Sequence, residues 1–480
     1  MHRVNIKTNR TVALRILAYS VTIVLSILTT IVLLYVALGY RFDSKSGNVV
    51  QNGLLLVDNK PEAAQIYING TLEDSQSPGR FVLPVGSYEL SLELQGYRGW
   101  KKQLPIKAEG VEEVSYPVLI PKKLSPKTQI DIARPESVSQ SIDNKKLLYH
   151  VAGESVLRSI ELDPKQPKLS ELTLSSAFKR EAGNVGSISF VEWSLNNKHT
   201  LIKQTLPSGS SSIISLNIDK PEEAVNVTDL FATVSPTDVH YDGNKTDKIY
   251  GIHQNTLLRY DLKNKLTETV LKNVLSYQPY GDTLQAFTRL SKDGLSVEAG
   301  IRSEKSVAVL ERFADITVRP IIAYGEYDDR GYLAVTNMSS QTSRIYRDPL
   351  DTPILKKQLP FVILPSPDIQ RMVFSPNNQY VFMQSGQNFV TYDFENTRQS
   401  NFTISEPFST VPLRWINNSH ISFQVADSQM YFVEFDGANK EALVNTTDGR
   451  LFYSSDLRSA YRIISSDKKT TLDHIPLTVE

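Results

Sequence analysis

Along the first 120 residues the pattern of apolar and polar positions changes twice. From Ile16 to Tyr40 (ILAYSVTIVLSILTTIVLLYVALGY) 25 consecutive residues carry no charge. About 20 apolar residues cross the hydrocarbon core of a bilayer, so the run predicts a membrane-spanning helix with some tilt. A secretory signal would have a shorter apolar core, about 7–15 residues, and a small-residue cleavage site. Only a poor VAL before Gly39 is on offer, which leaves an uncleaved anchor over 16–40 as the expectation. Arg3, Lys7, Arg10 and Arg15 precede the run, whereas Arg41 and Lys45 beyond it are diluted by Asp43. That asymmetry expects residues 1–15 in the cytoplasm and everything past residue 40 outside, with Tyr19, Tyr35 and Tyr40 at the interfaces.

Beyond a linker over 41–52 the period drops to two. Tyr88, Leu90, Leu92 and Leu94 alternate with Ser87, Glu89, Ser91 and Glu93, the pattern of a strand with one buried face. Ile66 and Ile68 alternate in the same way between Gln65, Tyr67 and Asn69. Asn69-Gly70 predicts a tight turn because both residues tolerate positive φ. Pro84, Gly86 and Gly96 punctuate the next strands, and further strands are expected at 100–106 and 111–119. About six strands in roughly 68 residues predict a small β-sandwich over 53–120.

Gly53, Pro61-Glu62-Ala63-Ala64, Ile66, Ile68, Asn69-Gly70, Ser77-Pro78, Leu83, Gly86, Tyr88 and Gly96-Tyr97 form an ordered set that resembles the PEGA domain. Its Pro-Glu-Gly-Ala signature is met except at the third position, where Ala63 replaces glycine. Alanine would be costly there if the backbone needs positive φ. The resemblance implies an extracytoplasmic β-sandwich of prokaryotic envelope proteins, with a binding or spacer role and no catalysis of its own. The glycines, prolines and Asn-Gly have sufficient backbone reasons to be present. Three aromatic residues, Tyr67, Tyr97 and Trp100, read as exposed and could contact a sugar or a protein.

After a linker over 121–135, one pattern returns repeatedly through 136–480: apolar strand, polar turn, apolar strand, short turn, aromatic-rich strand. The clearest copy starts at Met372, with Ser375-Pro376-Asn377-Asn378 as its first turn. Together with weaker copies it gives first turns at Asp143, Asn196, Gly243, Gly281, Asp328, Asn377 and Asn417, at intervals of 53, 47, 38, 47, 49 and 40 residues. Four-stranded propeller blades repeat at about 40–50 residues. A third-strand signature recurs as SIELD (159–163), SLNID (215–219), RYDLK (259–263), TYDFE (391–395) and VEFDG (433–437). The region resembles a WD40-like or TolB-like β-propeller of seven or eight blades, with 449–480 as a final blade or the strands that close the ring. Two stacked sandwiches are the competing architecture. The fold class expected overall is an all-β ectodomain behind one transmembrane helix.

Composition narrows the chemistry. The 52 Lys and Arg balance 52 Asp and Glu, which gives no footprint for nucleic acid. Cysteine is absent, which removes disulfides, thiolate metal sites and cysteine nucleophiles, and leans toward a prokaryotic source. Nucleophile-elbow, zincin, phosphate-loop and EF-hand motifs are all missing. The seven histidines show no i, i+2 or i+4 pairing, although His240 and His253 flank a hairpin and could approach each other. The acid-rich DVHYDGNKTD (238–247) lacks the ligand spacing of a calcium loop. No catalytic, cofactor or metal residue is expected.

These readings converge on a single-pass, membrane-anchored binding or scaffold protein of the prokaryotic cell envelope, displaying a propeller face to protein or glycan ligands. The alternative is a cell-wall polysaccharide hydrolase or lyase working from the propeller's central pocket, which would need two carboxylates about 5–9 Å apart. A sensor signalling through its anchor is the third reading, and would need a partner.

Overall fold

The computed structural model describes residues 6–37, 40–42, 49–351, 359–408, 413–426 and 428–479. Expected positions at 1–5, 38–39 and 43–48 lie outside these. The chain divides into two compact units, one of Met1–Lys123 with Thr478–Glu480 and one of Leu124–Leu477.

In the first unit a helix runs from Ile6 to Ala37 and so starts ten residues before the uncharged run. Nothing between Ile6 and Arg15 breaks a helix, because neither glycine nor proline occurs there. Its apolar stretch, Ala13–Tyr35, has a mean hydropathy of 2.4 and none of it is buried by protein. The hydroxyls of Thr22, Thr29 and Thr30 donate to the carbonyls of Ala18, Leu25 and Ser26 one turn earlier. Polar side chains are thereby satisfied inside the helix, as an apolar surrounding requires.

The sandwich has eight strands in two sheets, against the six expected. One sheet orders Tyr40–Phe42, Val49–Val57 and Gly79–Pro84, with Val111–Val114 pairing parallel to Val49–Val57. The other orders Thr71–Gln76, Gln65–Ile68, Gly86–Glu93 and Trp100–Ile106. Thr71–Gln76 escaped the sequence reading because its TLEDSQ side chains are mostly exposed, which leaves no alternation to detect. Ile66, Ile68, Leu90 and Leu92 meet Leu55, Leu104 and Ile106 in the core as the alternation predicts. Asn69 and Gly70 both take positive φ, at 50° and 78°, and Asn69 Oδ1 accepts the Glu89 N–H. Gly53 allows a close backbone approach, since a Cβ there would sit 2.3 Å from the Lys107 carbonyl oxygen.

Two of the three aromatic residues read as exposed are core residues. Trp100 is 3% exposed because the strand it opens alternates from Trp100 through Leu104 to Ile106 into the core. Tyr97 is 6% exposed, and its hydroxyl accepts the Val479 N–H at 2.7 Å within the same unit. Tyr67 is half-buried. At the departure from the signature, Ala63 adopts φ 69°, the conformation glycine would take without strain. Ser77 holds it there: its carbonyl accepts the Ala63 N–H, its hydroxyl accepts the Ala64 N–H, and its own N–H donates to the Ala64 carbonyl.

The second unit contains eight four-stranded sheets among the described residues. Seven follow chain order: blade 1 (137–173), blade 2 (187–226), blade 3 (237–271), blade 4 (274–313), blade 5 (321–365), blade 6 (371–403) and blade 7 (414–445). Blade 8 takes three strands from 452–476 and its outermost from Lys127–Ile132. The linker expected over 121–135 is therefore corrected, because part of it is the strand that closes the ring. Of residues 449–480, the strands within 452–476 belong to this last blade, and Lys127–Ile132 pairs with Thr470–Pro476 to complete it. The third-strand signatures fall on the third strands of blades 1, 2, 3, 6 and 7.

Four blades share one device in their first turn: Ser141-Ile142-Asp143-Asn144, Ser194-Leu195-Asn196-Asn197, Ser375-Pro376-Asn377-Asn378 and Ser454-Ser455-Asp456-Leu457. In each, the serine hydroxyl donates to the Asp or Asn side chain and accepts the N–H five residues on. The fourth position takes positive φ, and such Asx-type turns close hairpins locally.

Second strands read as apolar runs because both of their faces are buried between blades. Leu147 and Tyr149 pack toward Phe452, Tyr461 and Leu472 of blade 8, whereas Leu148 packs toward Ile188 and Trp193 of blade 2. Leu201 and Ile202 divide in the same way between blades 3 and 1, and Val381 and Phe382 between blades 5 and 7.

Two stability predictions follow from this architecture. Ala63→Gly should raise the stability of the sandwich by about 0.5–1 kcal/mol, because relief of left-handed strain exceeds the entropy gained by the unfolded chain. Urea denaturation followed by circular dichroism reads this, and no gain would mean that Ala63 is unstrained. Leu472→Ala, at the closing seam, should cost about 2–5 kcal/mol, whereas Leu169→Ala on the exposed outer strand of blade 1 should cost less than about 1 kcal/mol. Equal losses would remove the seam's special weight.

A candidate binding site in the propeller channel

Blades 6, 7, 8, 1 and 2 contribute residues to one cavity of about 770 Å³. Five consecutive blades of an eight-blade ring can share a cavity only at its centre, so this is the channel, reached by the first strand of each blade. Ser137–Ser141 come from blade 1, Ser189 and Phe190 from blade 2, and Arg371 from blade 6. The first strands of blades 7 and 8 are described as two residues each, Arg414–Trp415 and Phe452–Tyr453. The second strand of blade 7 therefore shows Ser422, Phe423 and Gln424 to the cavity as well.

Three arginines define the electrostatics. Arg371 donates to the Leu413 carbonyl at 2.6 Å, and Arg450 to the Val138 carbonyl at 2.7 Å, so each braces a neighbouring blade. Arg414 lies over the Phe452 ring, 5.6 Å from its centroid. Its Nη2 is buried with no hydrogen-bond partner among the described residues, and so is the indole Nε1 of Trp415. Burial pulls the Arg414 guanidinium below its usual range; Arg450 adds to this, while Tyr453 and Asp448 oppose it. Asp448 lies just before the cavity residues Gly449 and Arg450, and burial holds its carboxyl above the ordinary value despite the Arg450 N–H and the charges of Arg450 and Arg414. Burial also pushes the Tyr453 phenol up to about 12 against its bond to the Ser422 hydroxyl and the charge of Arg414. The described lining includes no Asp or Glu. Its volume is that of a small-ligand pocket, and its mix of apolar walls with a few convergent polar groups is the usual composition of one.

None of Tyr67, Tyr97 and Trp100 belongs to this cavity. Tyr97 lines a separate space of about 620 Å³ in the sandwich, beside Ala63, Gln65, Gln76 and Glu93. The arginines were missed because each stands alone in its own blade. Their spacing, 43 residues from 371 to 414 and 36 from 414 to 450, is the signal that could have found them.

His240 and His253 do not come together. His253 Nδ1 is 3.0 Å from the Ser235 carbonyl, whereas His240 sits between Glu192 Oε1 at 3.4 Å and Asp238 Oδ1 at 3.6 Å. The Tyr277 ring packs edge-on against it at 5.4 Å. In the acid-rich 238–247 segment, Asp242 is fully buried and is bonded by Arg259. Among the described residues no group of three or more His, Asp or Glu is arranged to hold a metal ion.

Burial alone would lower the pKa of His240, but its bonds to Asp238 and Glu192 raise it from 6.5 to about 9. A folded value above the unfolded one means that the fold favours the protonated ring. Its contribution is complete below about pH 6.5 and is lost as pH rises through about 9. The melting temperature should therefore fall between pH 6.5 and 9 in the wild type, and His240→Gln should flatten that slope. Parallel profiles would show that Glu192 and Asp238 do not hold the proton there.

Residues 52–118 match the PEGA domain family. No curated protein matches the chain. Among solved structures, it is similar to the C-terminal WD40 domain of Sif2, at 11% identity and a TM-score of 0.47, covering 73% of this chain and 98% of that one. It is also similar to Porphyromonas gingivalis dipeptidyl peptidase 4, at 11% identity and a TM-score of 0.49, covering 73% of this chain and 60% of that one. The third is PorZ of Porphyromonas gingivalis, a surface component of the type-IX secretion system, at 13% identity and a TM-score of 0.38, covering 71% of this chain and 43% of that one. Residues 52–118 match the PEGA domain, and the chain beyond them forms an eight-bladed β-propeller among the described residues.

Proposed function

We propose that this chain is a membrane-anchored binding protein of the prokaryotic cell envelope, in which the propeller channel receives the ligand. The observation that carries the reading is the channel cavity itself. It has a small-ligand volume, converging side chains from five blades, and buried donors on Arg414 and Trp415 with no partner among the described residues. The helix Ile6–Ala37 supplies the tether, and the basic residues ahead of the apolar run support a cytoplasmic N-terminus with both β units outside. The PEGA domain stands between anchor and propeller in the sequence, which suits a spacer. Binding is favoured over polymer hydrolysis because the described lining offers arginines and hydroxyls but no carboxylate pair.

The full chain in detergent, screened against cell-envelope extract and a glycan array, should retain a ligand that Ser189→Trp loses. Ser189 is an exposed cavity residue, so the indole fills the channel while the melting temperature stays close to wild type. Retention unchanged in that variant would refute the channel as the site. Topology has its own test, helped by the absence of native cysteine. On intact cells a membrane-impermeant maleimide should label Ser208→Cys, and it should label Thr8→Cys only after lysis. The reverse pattern would invert the orientation.

A further inference from the structure

Resting on the reading of the channel as the ligand site, we infer that its ligand presents an oxyanion, a carboxylate or a phosphate, to Arg414 with Arg371 and Arg450, and an apolar body to Phe190, Met430 and Phe452. Each guanidinium has five N–H donors in a fixed fork. Bracing of the blades accounts for one bond from Arg371 and one from Arg450, both to backbone carbonyls. Among the described residues it accounts for none from Arg414, whose Nη2 has no partner and whose guanidinium lies over the Phe452 ring. That contact holds the guanidinium beside the ring, and its planar fork suits two-point recognition of a carboxylate or phosphate.

Three guanidinium groups line the cavity and no carboxylate is among its described lining; Asp448, which acts on Arg414 from outside that lining, is itself buried. Trp415 Nε1, buried and without a partner among the described residues, adds a second unused donor on the residue next to Arg414. Donors buried without acceptors are disfavoured unless something accepts from them, and an anion accepts from several at once. A neutral sugar would leave three guanidinium groups at a cavity whose described lining holds no carboxylate.

The test uses the full chain in detergent and four probes: phenyl phosphate, benzoate, inorganic phosphate and benzyl alcohol. Phenyl phosphate and benzoate should bind by calorimetry and raise the melting temperature, with affinity falling as salt rises. Inorganic phosphate should bind more weakly for want of an apolar body, and benzyl alcohol should not bind. Arg414→Gln should weaken both aromatic anions by about 10- to 100-fold, the loss expected for hydrogen bonds to a charged group. Whichever aromatic anion binds more tightly assigns the source, phosphate-bearing or carboxylate-bearing. If Arg414→Gln fails to fold, Arg414→Lys keeps the charge but loses the fork, and should still weaken binding. Equal binding of anions and benzyl alcohol, or anion binding indifferent to both Arg414 variants, overturns the inference. So does an absence of binding by either aromatic anion. A ligand retained from envelope extract that Ser189→Trp loses, but that phenyl phosphate and Arg414→Gln leave alone, keeps the channel and overturns the anion. Retention unaffected by Ser189→Trp fails the channel reading instead.

Discussion

The propeller depends on one seam. Strand Thr470–Pro476 pairs antiparallel with Lys127–Ile132, so that Leu472 lies opposite Ile130 and Thr470 opposite Ile132. Asp473 reinforces the seam by accepting from the Thr128 hydroxyl, across 345 residues of sequence, and from Arg462. Closing a loop of that length costs roughly 5 kcal/mol in chain entropy, a cost that grows only slowly with length. Burial repays it. Ile132 and Leu472 join Val138, Leu147, Tyr149, Phe452 and Tyr461 in one cluster between the last blade and the first. Without the seam that cluster would face water on one side, and the five-blade cavity would have no fixed geometry.

Around the ring, polar contacts between first strands and turns tie neighbours in register. Trp193 Nε1 donates to the Ser139 hydroxyl, the Tyr241 N–H to Glu192, the Tyr277 hydroxyl to the Asp238 carbonyl, and the Tyr324 N–H to Gln278. Gln140 closes the series on the Tyr453 carbonyl of blade 8. Apolar burial between second strands supplies the adhesion, and these directional bonds near the axis select one spacing of blades. The arginines of blades 6 to 8 fit this pattern only in part: Arg414 meets blade 8 through the Phe452 ring, with no hydrogen bond from its Nη2 among the described residues. That unused hydrogen-bonding capacity is what supports the channel as the proposed ligand site.

Much of this was legible in the sequence, wherever local chemistry decides local structure. The Ser-x-Asp/Asn turns, the aspartates after third strands and the Asn69-Gly70 turn act within a few residues, so they could be read directly. The seam could not be read in this way. Lys127–Ile132 is a single strand, KTQIDI, whose partner is a strand at the other end of the unit, and no local period announces such a pairing. Trp100 and Tyr97 were misplaced for a related reason: whether a side chain at a strand's start or in a connection faces the core depends on segments not adjacent in sequence. The channel arginines follow the same rule, because each comes from a different blade and only the ring brings them together.

The order of synthesis gives the seam a further meaning. Lys127–Ile132 emerges from the ribosome before any of the blades, while its partner comes 338 residues after Ile132. At 5–20 residues per second that is a wait of roughly 17 to 70 s with both edges of the strand unsatisfied. An exposed edge of this kind invites pairing with other chains. The strand's own composition is suited to the delay, since Lys127 and Asp131 place a charge near each end and four of its six side chains are exposed or half-exposed polar residues. The polarity that hid this strand from sequence reading is thus what makes it safe to hold open until the last blade is made.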